Sequence, residues 1–159
     1  MTKIISGFPC IGKTTIGNSN KFKYNDIEFR ETAAQRGMSE LDKEKLFDNY
    51  ANIIELIYKS NYYDYLFVTD NYKLIDNLIE RNIEFTYVVP DIKDINFAKI
   101  YKERVLARNN LDWYNNVISP KLEILEYEIN KVKNYPKANI LLLDTKHPLL
   151  KNLIFWCNW

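Results

Sequence analysis

Apolar and polar positions along the chain follow two alternating rhythms. Short continuous apolar runs at 3–6, 65–69, 84–89 and 138–143 predict buried strands, the first running straight into Gly7 and the second ending at Asp70. Between them apolar residues recur at helical spacing. Leu41, Phe47, Tyr50, Ile53, Ile54 and Ile57 predict a helix over 39–59, with Ser39 as its N-cap and Asp42 three residues on. Leu74, Ile75, Leu78 and Ile79 form a second stripe, and Asn82 is placed to stop it in a left-handed conformation. Pro90-Asp91 closes the third run. A helix over 94–108 should follow, broken by Asn109-Asn110, then a long helix over 112–134, bent near Pro120 and closed by Pro136. A last helix is expected over 148–156.

The start of the chain is less regular. A helix opening at Thr14 is cut short by Gly17, Asn18, Ser19 and Asn20, and 22–29 reads as an extended segment. Residues 30–38 show no period and read as a connection. Strands thus alternate with helices, and the strands are apolar throughout rather than every second residue. That is the pattern of an α/β domain whose parallel sheet is covered on both faces. No repeat or linker interrupts it, so residues 1–159 are expected to form one domain.

Composition narrows the function. The 159 residues carry a net charge of +1, without the basic excess of a duplex nucleic-acid binder. No apolar run approaches the roughly 20 residues that span a bilayer. The N-terminal run is too short for a secretory signal, so a cytoplasmic protein without a membrane partner is the expectation. Cys10 and Cys157 have no metal-ligand spacing and read as two reduced thiols.

One stretch carries chemistry. Ser6 to Thr15 reads SGFPCIGKTT, a Gly-x-x-x-x-Gly-Lys-Thr pattern directly after a strand and before a helix-forming stretch. Such a loop wraps backbone N–H groups around an anion, and Gly7 and Gly12 stand where the chain must turn tightly. Lys13 brings a cation to the β- and γ-phosphates, Thr14 a hydroxyl for Mg2+, and Thr15 a hydrogen bond to a phosphate. Gly7, Phe8, Pro9, Cys10, Ile11, Gly12, Lys13, Thr14 and Thr15 are therefore the expected binding residues for ATP or a similar nucleotide.

On these residues the chain resembles the P-loop nucleoside and nucleotide kinases, the superfamily of adenylate kinase and shikimate kinase. It is similar in particular to small phage-type nucleotide kinases with an SGFPGIGKS-like loop at the N-terminus. Those place Gly where Cys10 stands and often Ser where Thr14 stands. The resemblance implies a three-layer P-loop NTPase fold, with five parallel strands in the order 2-3-1-4-5. It also implies an acceptor-binding insertion at about 30–60 and a lid with flanking helices at about 94–134.

Several further residues gain meaning in that frame. Asp26-Ile27-Glu28 falls where many such kinases carry an Asp-x-Asp pair, and Asp26 is the candidate to take the acceptor's proton or orient Mg2+. Asp70 resembles a Walker B carboxylate and joins Thr14 as a candidate metal ligand; the alternative for Asp70 is a helix cap. Arg104 and Arg108, four apart on one helix face, are candidates with Lys13 to neutralise the transferring phosphoryl group. Arg30 and Arg36 could meet an acceptor phosphate. Trp113, Tyr114 and His147 read more readily as packing or loop residues.

The implied activity is ATP- and Mg2+-dependent phosphoryl transfer to a nucleoside monophosphate or a nucleoside. A polynucleotide 5′ end or a sugar is an alternative acceptor, and a nucleotide-binding regulatory module with little turnover is an alternative class. A GTPase lacks its guanine-reading Asn-Lys-x-Asp stretch here.

Overall fold

Residues 4–5, 66–68 and 87–89 have no polar alternation, so neither face of these strands can look at water. In the computed structural model, which describes residues 1–16, 24–26 and 37–156, they form the middle of a parallel sheet. Strands β1 (Lys3–Gly7), β2 (Tyr24–Asp26), β3 (Tyr65–Thr69), β4 (Phe85–Pro90) and β5 (Ala138–Leu143) stand in the order β2-β3-β1-β4-β5. Successive side chains of a strand point to opposite faces. Ile4, Ile5 and Ser6 are all buried, as are Leu66, Phe67 and Val68, so the central strands are covered on both sides. Strand β5 is an edge, and Leu142 on it is exposed.

The covering helices are α1 (Lys13–Ile16), α2 (Glu40–Ser60), α3 (Tyr72–Glu80), α4 (Ile95–Arg108), α5 (Leu111–Trp113), α6 (Ser119–Glu123), α7 (Leu125–Lys133) and α8 (Leu150–Trp156). Among the described residues no helix is long and apolar enough to cross a membrane. The Ser39 hydroxyl caps α2, accepting from the Asp42 N–H at 3.2 Å. Asn61 ends α2 in the left-handed region, and Asn82 takes the same conformation after α3. Asp94 caps α4 by accepting from the Phe97 N–H at 3.1 Å. Arg81 ties α3 to α2 through Asp48, Asn52 and Glu55, and Lys131 ties α7 to α3 through Asp76 at 2.7 Å.

The helix expected over 112–134 is instead a broken one. Between α5 and α6 the chain makes a π turn over Tyr114–Ile118, in which the Ser119 N–H reaches back to the Tyr114 carbonyl. Pro120 explains it. Its nitrogen has no proton to donate to Asn116, and its ring needs room against the preceding turn, which a wider coil supplies. A second break at Ile124 (φ −97°, ψ −2°) separates α6 from α7. Of the extended segment expected over 22–29, Tyr24–Asp26 is strand; its remainder, and 30–36, lie outside the described residues.

Candidate functional site: the loop after β1

Strand β1 delivers the chain to Gly7, and the Phe8 N–H still donates to Val88 of β4 at 3.0 Å. From Pro9 onward the loop leaves the sheet and its carbonyls find other partners. The Tyr101 hydroxyl donates to the Pro9 carbonyl at 2.8 Å, and Arg104 Nη1 donates to the Cys10 carbonyl at 3.3 Å, both from α4. The Leu150 N–H, at the start of α8, donates to the Ile11 carbonyl at 2.9 Å. In a planar trans peptide the C=O and the following N–H point in opposite directions. Three carbonyls drawn towards α4 and α8 therefore turn the N–H groups of Cys10, Ile11 and Gly12 the other way.

Those N–H groups, and that of Lys13, make no backbone hydrogen bond of good geometry to the described residues. A main-chain donor is an obligatory hydrogen-bonding group, so this cluster is a site for an anion or for water. The backbone achieves the shape by positive φ at Cys10 (60°) and Gly12 (94°). Alternation of φ sign is how successive N–H groups come to line one concavity. Gly7 serves the same geometry by its missing side chain, since a Cβ there would meet Ile11 Cδ1 at 2.6 Å and Lys13 Cδ at 3.3 Å.

The surroundings are cationic. Burial pushes the Cys10 thiol pKa up, while Arg108, Arg104 and Lys13 all pull it down, so these three cations gather at the loop. Burial lowers the pKa of Arg104 itself, the side chain most committed to the loop backbone. Arg108, at the end of α4, is exposed. Asn109 Nδ2 lies 3.9 Å from Cys10 Sγ. The side chains of Thr14 and Thr15 lie outside the described residues.

Asp70 stands beside the loop. The register pairs Gly7 with Thr69, so Phe8 and Asp70 leave their strands side by side. Asp70 is buried and does not stand alone: Lys121 Nζ lies 2.9 Å from Oδ1 and 5.7 Å from the centre of the Phe8 ring. Among the described residues no group of three or more His, Cys, Asp or Glu side chains could hold a metal by itself. Asp26 ends β2 opposite Phe67, and its side chain lies outside the described residues, as do Glu28, Arg30, Arg36 and Cys157 entirely.

The remaining candidates have structural employment. Trp113 and Tyr114 are half-buried against the core, with Lys102 over the Tyr114 ring. The His147 N–H donates to Asp144 Oδ1 at 2.6 Å, closing a turn after β5. Two residues at the site were not singled out from the sequence. Tyr101 continues the Phe97–Tyr101–Val105 buried stripe of α4, and its polar tip three residues before Arg104 was the available signal. Lys121 had no local signal.

The arrangement can do one thing plainly: present converging N–H groups and cations to an anion at the carboxyl ends of parallel strands, where open α/β sheets bind ligands. No protein-family model matches the chain, and no curated protein matches it.

Proposed function

We propose that the chain is an ATP- and Mg2+-dependent phosphotransferase with a P-loop NTPase fold, acting on a small hydroxyl-bearing acceptor of the nucleoside or nucleotide class. The observation that carries this reading is the loop whose carbonyls at Pro9, Cys10 and Ile11 are all engaged, leaving the N–H groups of Cys10 to Lys13 for phosphate oxygens. Lys13 would lie against the β- and γ-phosphates. Arg104 and Arg108 would place further positive charge where negative charge moves in the transition state.

Mg2+ fits the donor types present, which are hard oxygens. Thr14 and Asp70 would hold it together with the nucleotide's own phosphates, its usual binding mode. The ion would neutralise phosphate charge. Asp70 must then share its carboxylate between the ion and Lys121, or release Lys121. In the transfer, the acceptor oxygen forms a bond to the γ-phosphorus. The bond to the β,γ-bridging oxygen breaks, and ADP leaves with its electron pair. The hydroxyl proton passes to a carboxylate, for which Asp26 is the candidate.

The test is transfer of label from γ-labelled ATP to a panel of nucleosides, nucleoside monophosphates, sugars and 5′-hydroxyl oligonucleotides. Lys13→Ala is the control. A labelled product that disappears in the variant is the expected result. ATP binding without transfer to any acceptor would refute the phosphotransferase reading and favour a regulatory nucleotide-binding module.

A further inference from the structure

A cavity of about 280 Å3 has Phe8 of the loop in its wall. Its walls come from the carboxyl ends of β1, β3 and β4 and from the broken helix beyond: Phe8, Asp70, Tyr87, Asn116, Lys121 and Glu128 are the members that matter. Phe8 belongs to both the loop and the cavity. Whatever occupies the cavity therefore sits one residue away from a phosphate held by the loop. That is the place of a phosphoryl acceptor, and the volume admits a small molecule, not a polymer strand.

The charges lining the cavity discriminate between acceptors. Asp70 and Glu128 are both buried, with side chains 4% and 9% exposed. Among the described residues Lys121 is the one cation on the wall, and Asp70 already neutralises it at 2.9 Å. Behind Glu128 lies Lys131, 2.8 Å from Oε2 in an ion-pair contact without hydrogen-bond alignment. Lys131 is in turn held 2.7 Å from Asp76. Asp70, Glu128 and Asp76 against Lys121 and Lys131 leave one negative charge in excess. Among the described residues on the cavity wall no arginine is present, and Arg is the group that recognises a phosphomonoester by a paired fork. The rest of the wall is uncharged: the rings of Phe8, Tyr72 and Tyr87, the amides of Asn71 and Asn116, and an aliphatic side from Val117, Pro120, Ile124 and Leu125. Of these, the exposed Tyr72 ring has a face for a base to stack on, and the exposed Asn116 amide can both donate to and accept from a base edge.

We infer that this cavity is the acceptor site and that it takes a nucleoside, uncharged and presenting its hydroxyl to the loop, in preference to a nucleoside monophosphate. The inference rests on the phosphotransferase reading for the position of the reacting phosphate. The charge argument for the cavity stands independently of it.

Two arms separate the two. In the first, kcat/KM is measured with ATP and Mg2+ for matched nucleosides and their 5′-monophosphates. In the second, binding of the same pairs is measured by calorimetry without ATP. The nucleoside should be preferred by about tenfold or more in the nucleotide-free arm, the equivalent of about 1.4 kcal/mol, and by a smaller factor with ATP and Mg2+, where the ion offsets the charge of Asp70. Glu128→Gln removes the excess charge and should narrow that preference severalfold. Val117→Trp, which fills the cavity from its half-buried rim, should abolish nucleoside binding and leave ATP binding intact. Should Glu128→Gln fail to fold, Val117→Trp still decides. Binding of nucleosides without transfer would keep this inference and overturn the phosphotransferase reading. Preference for monophosphates in either arm, or nucleoside binding indifferent to Val117→Trp, would overturn the inference; the first would direct attention to Arg30 and Arg36.

Discussion

Cys10 occupies a backbone conformation (φ 60°) that L-residues enter at a cost of about 1–2 kcal/mol and glycine enters freely. Comparing Cys10→Gly with Cys10→Ala isolates that cost. Both variants lose the sulfur, which is buried in the wild type, so the packing of the sulfur cancels and the two differ only by the β-carbon. Glycine's freer unfolded chain works against it by about 0.4–1 kcal/mol. The balance favours Gly over Ala by roughly 0.5–1 kcal/mol. For a chain of this size that is a melting point about 1–3 °C higher. At an ordinary negative φ the sign reverses, and Ala wins by about 0.4–1 kcal/mol. Urea unfolding followed by tryptophan fluorescence gives the two midpoints, and equal slopes are needed for the comparison to stand. Alanine as stable as glycine, or more so, would refute the left-handed conformation at Cys10. With it would go the inward turning of the loop's N–H groups. The glycine at this place in the resembled kinase loops is thereby given a physical reason.

Tyr101→Phe removes the donor to the Pro9 carbonyl and should cost about 1 kcal/mol, while weakening ATP binding measured by calorimetry; unchanged affinity would show that this bond does not shape the loop. Ser39→Ala removes the α2 cap and should cost about 1 kcal/mol in urea unfolding without touching nucleotide binding. Asp94 has its pKa lowered, first by the Thr145 hydroxyl and then by the Phe97 N–H. Its charge should therefore stabilise the fold fully above the ordinary aspartate value of 3.8 and lose that contribution as pH falls through the lowered native value. The stability difference between wild type and Asp94→Asn should be flat near neutral pH and shrink in acid; a difference that grows in acid would contradict this.

What could be read from the sequence is what is encoded locally. Strands β1, β3, β4 and β5 fall within a residue of the apolar runs that announce them, and α2, α3 and α4 begin or end at Ser39, Asn82 and Asp94, whose side chains or backbone do the capping. The helix expected over 112–134, bent near Pro120, is broken twice in the structure, because Pro120 announces a bend but not its form. The form of the break also has to bring Ile118 and Leu125 into the core, which local sequence does not report. The site divides in the same way. The Gly-Lys-Thr motif is local, so the loop was legible. The groups that hold its carbonyls come from 92 and 94 residues further along the chain, and Lys121 meets Asp70 across 51. No periodicity reports such meetings.

The two arginines of α4 illustrate what the structure adds. On the sequence they are equivalent, four apart on one face. In the fold Arg104 is partly buried with a guanidinium nitrogen on the Cys10 carbonyl, whereas Arg108 is exposed at the last turn. Tyr101 and Arg104 fix the body of α4 to the loop, and helical geometry ends after Arg108 at Asn109 and Asn110. The two residues should then fail differently. Arg104→Lys keeps the charge but loses the reach of the planar fork to a backbone carbonyl, so ATP affinity and the Gly-over-Ala advantage at position 10 should both fall. Arg108→Lys keeps the charge beside the Cys10 thiol and leaves the bond of Arg104 to the loop backbone in place. Within the proposed reaction it should lower kcat with ATP affinity nearly unchanged, because a group that meets the phosphoryl oxygens only as charge moves contributes to the transition state alone. Calorimetry and steady-state kinetics on both variants decide the matter. An affinity loss in Arg108→Lys equal to that in Arg104→Lys would mean that both arginines hold the ground-state phosphate, and that the division of labour along α4 is wrong.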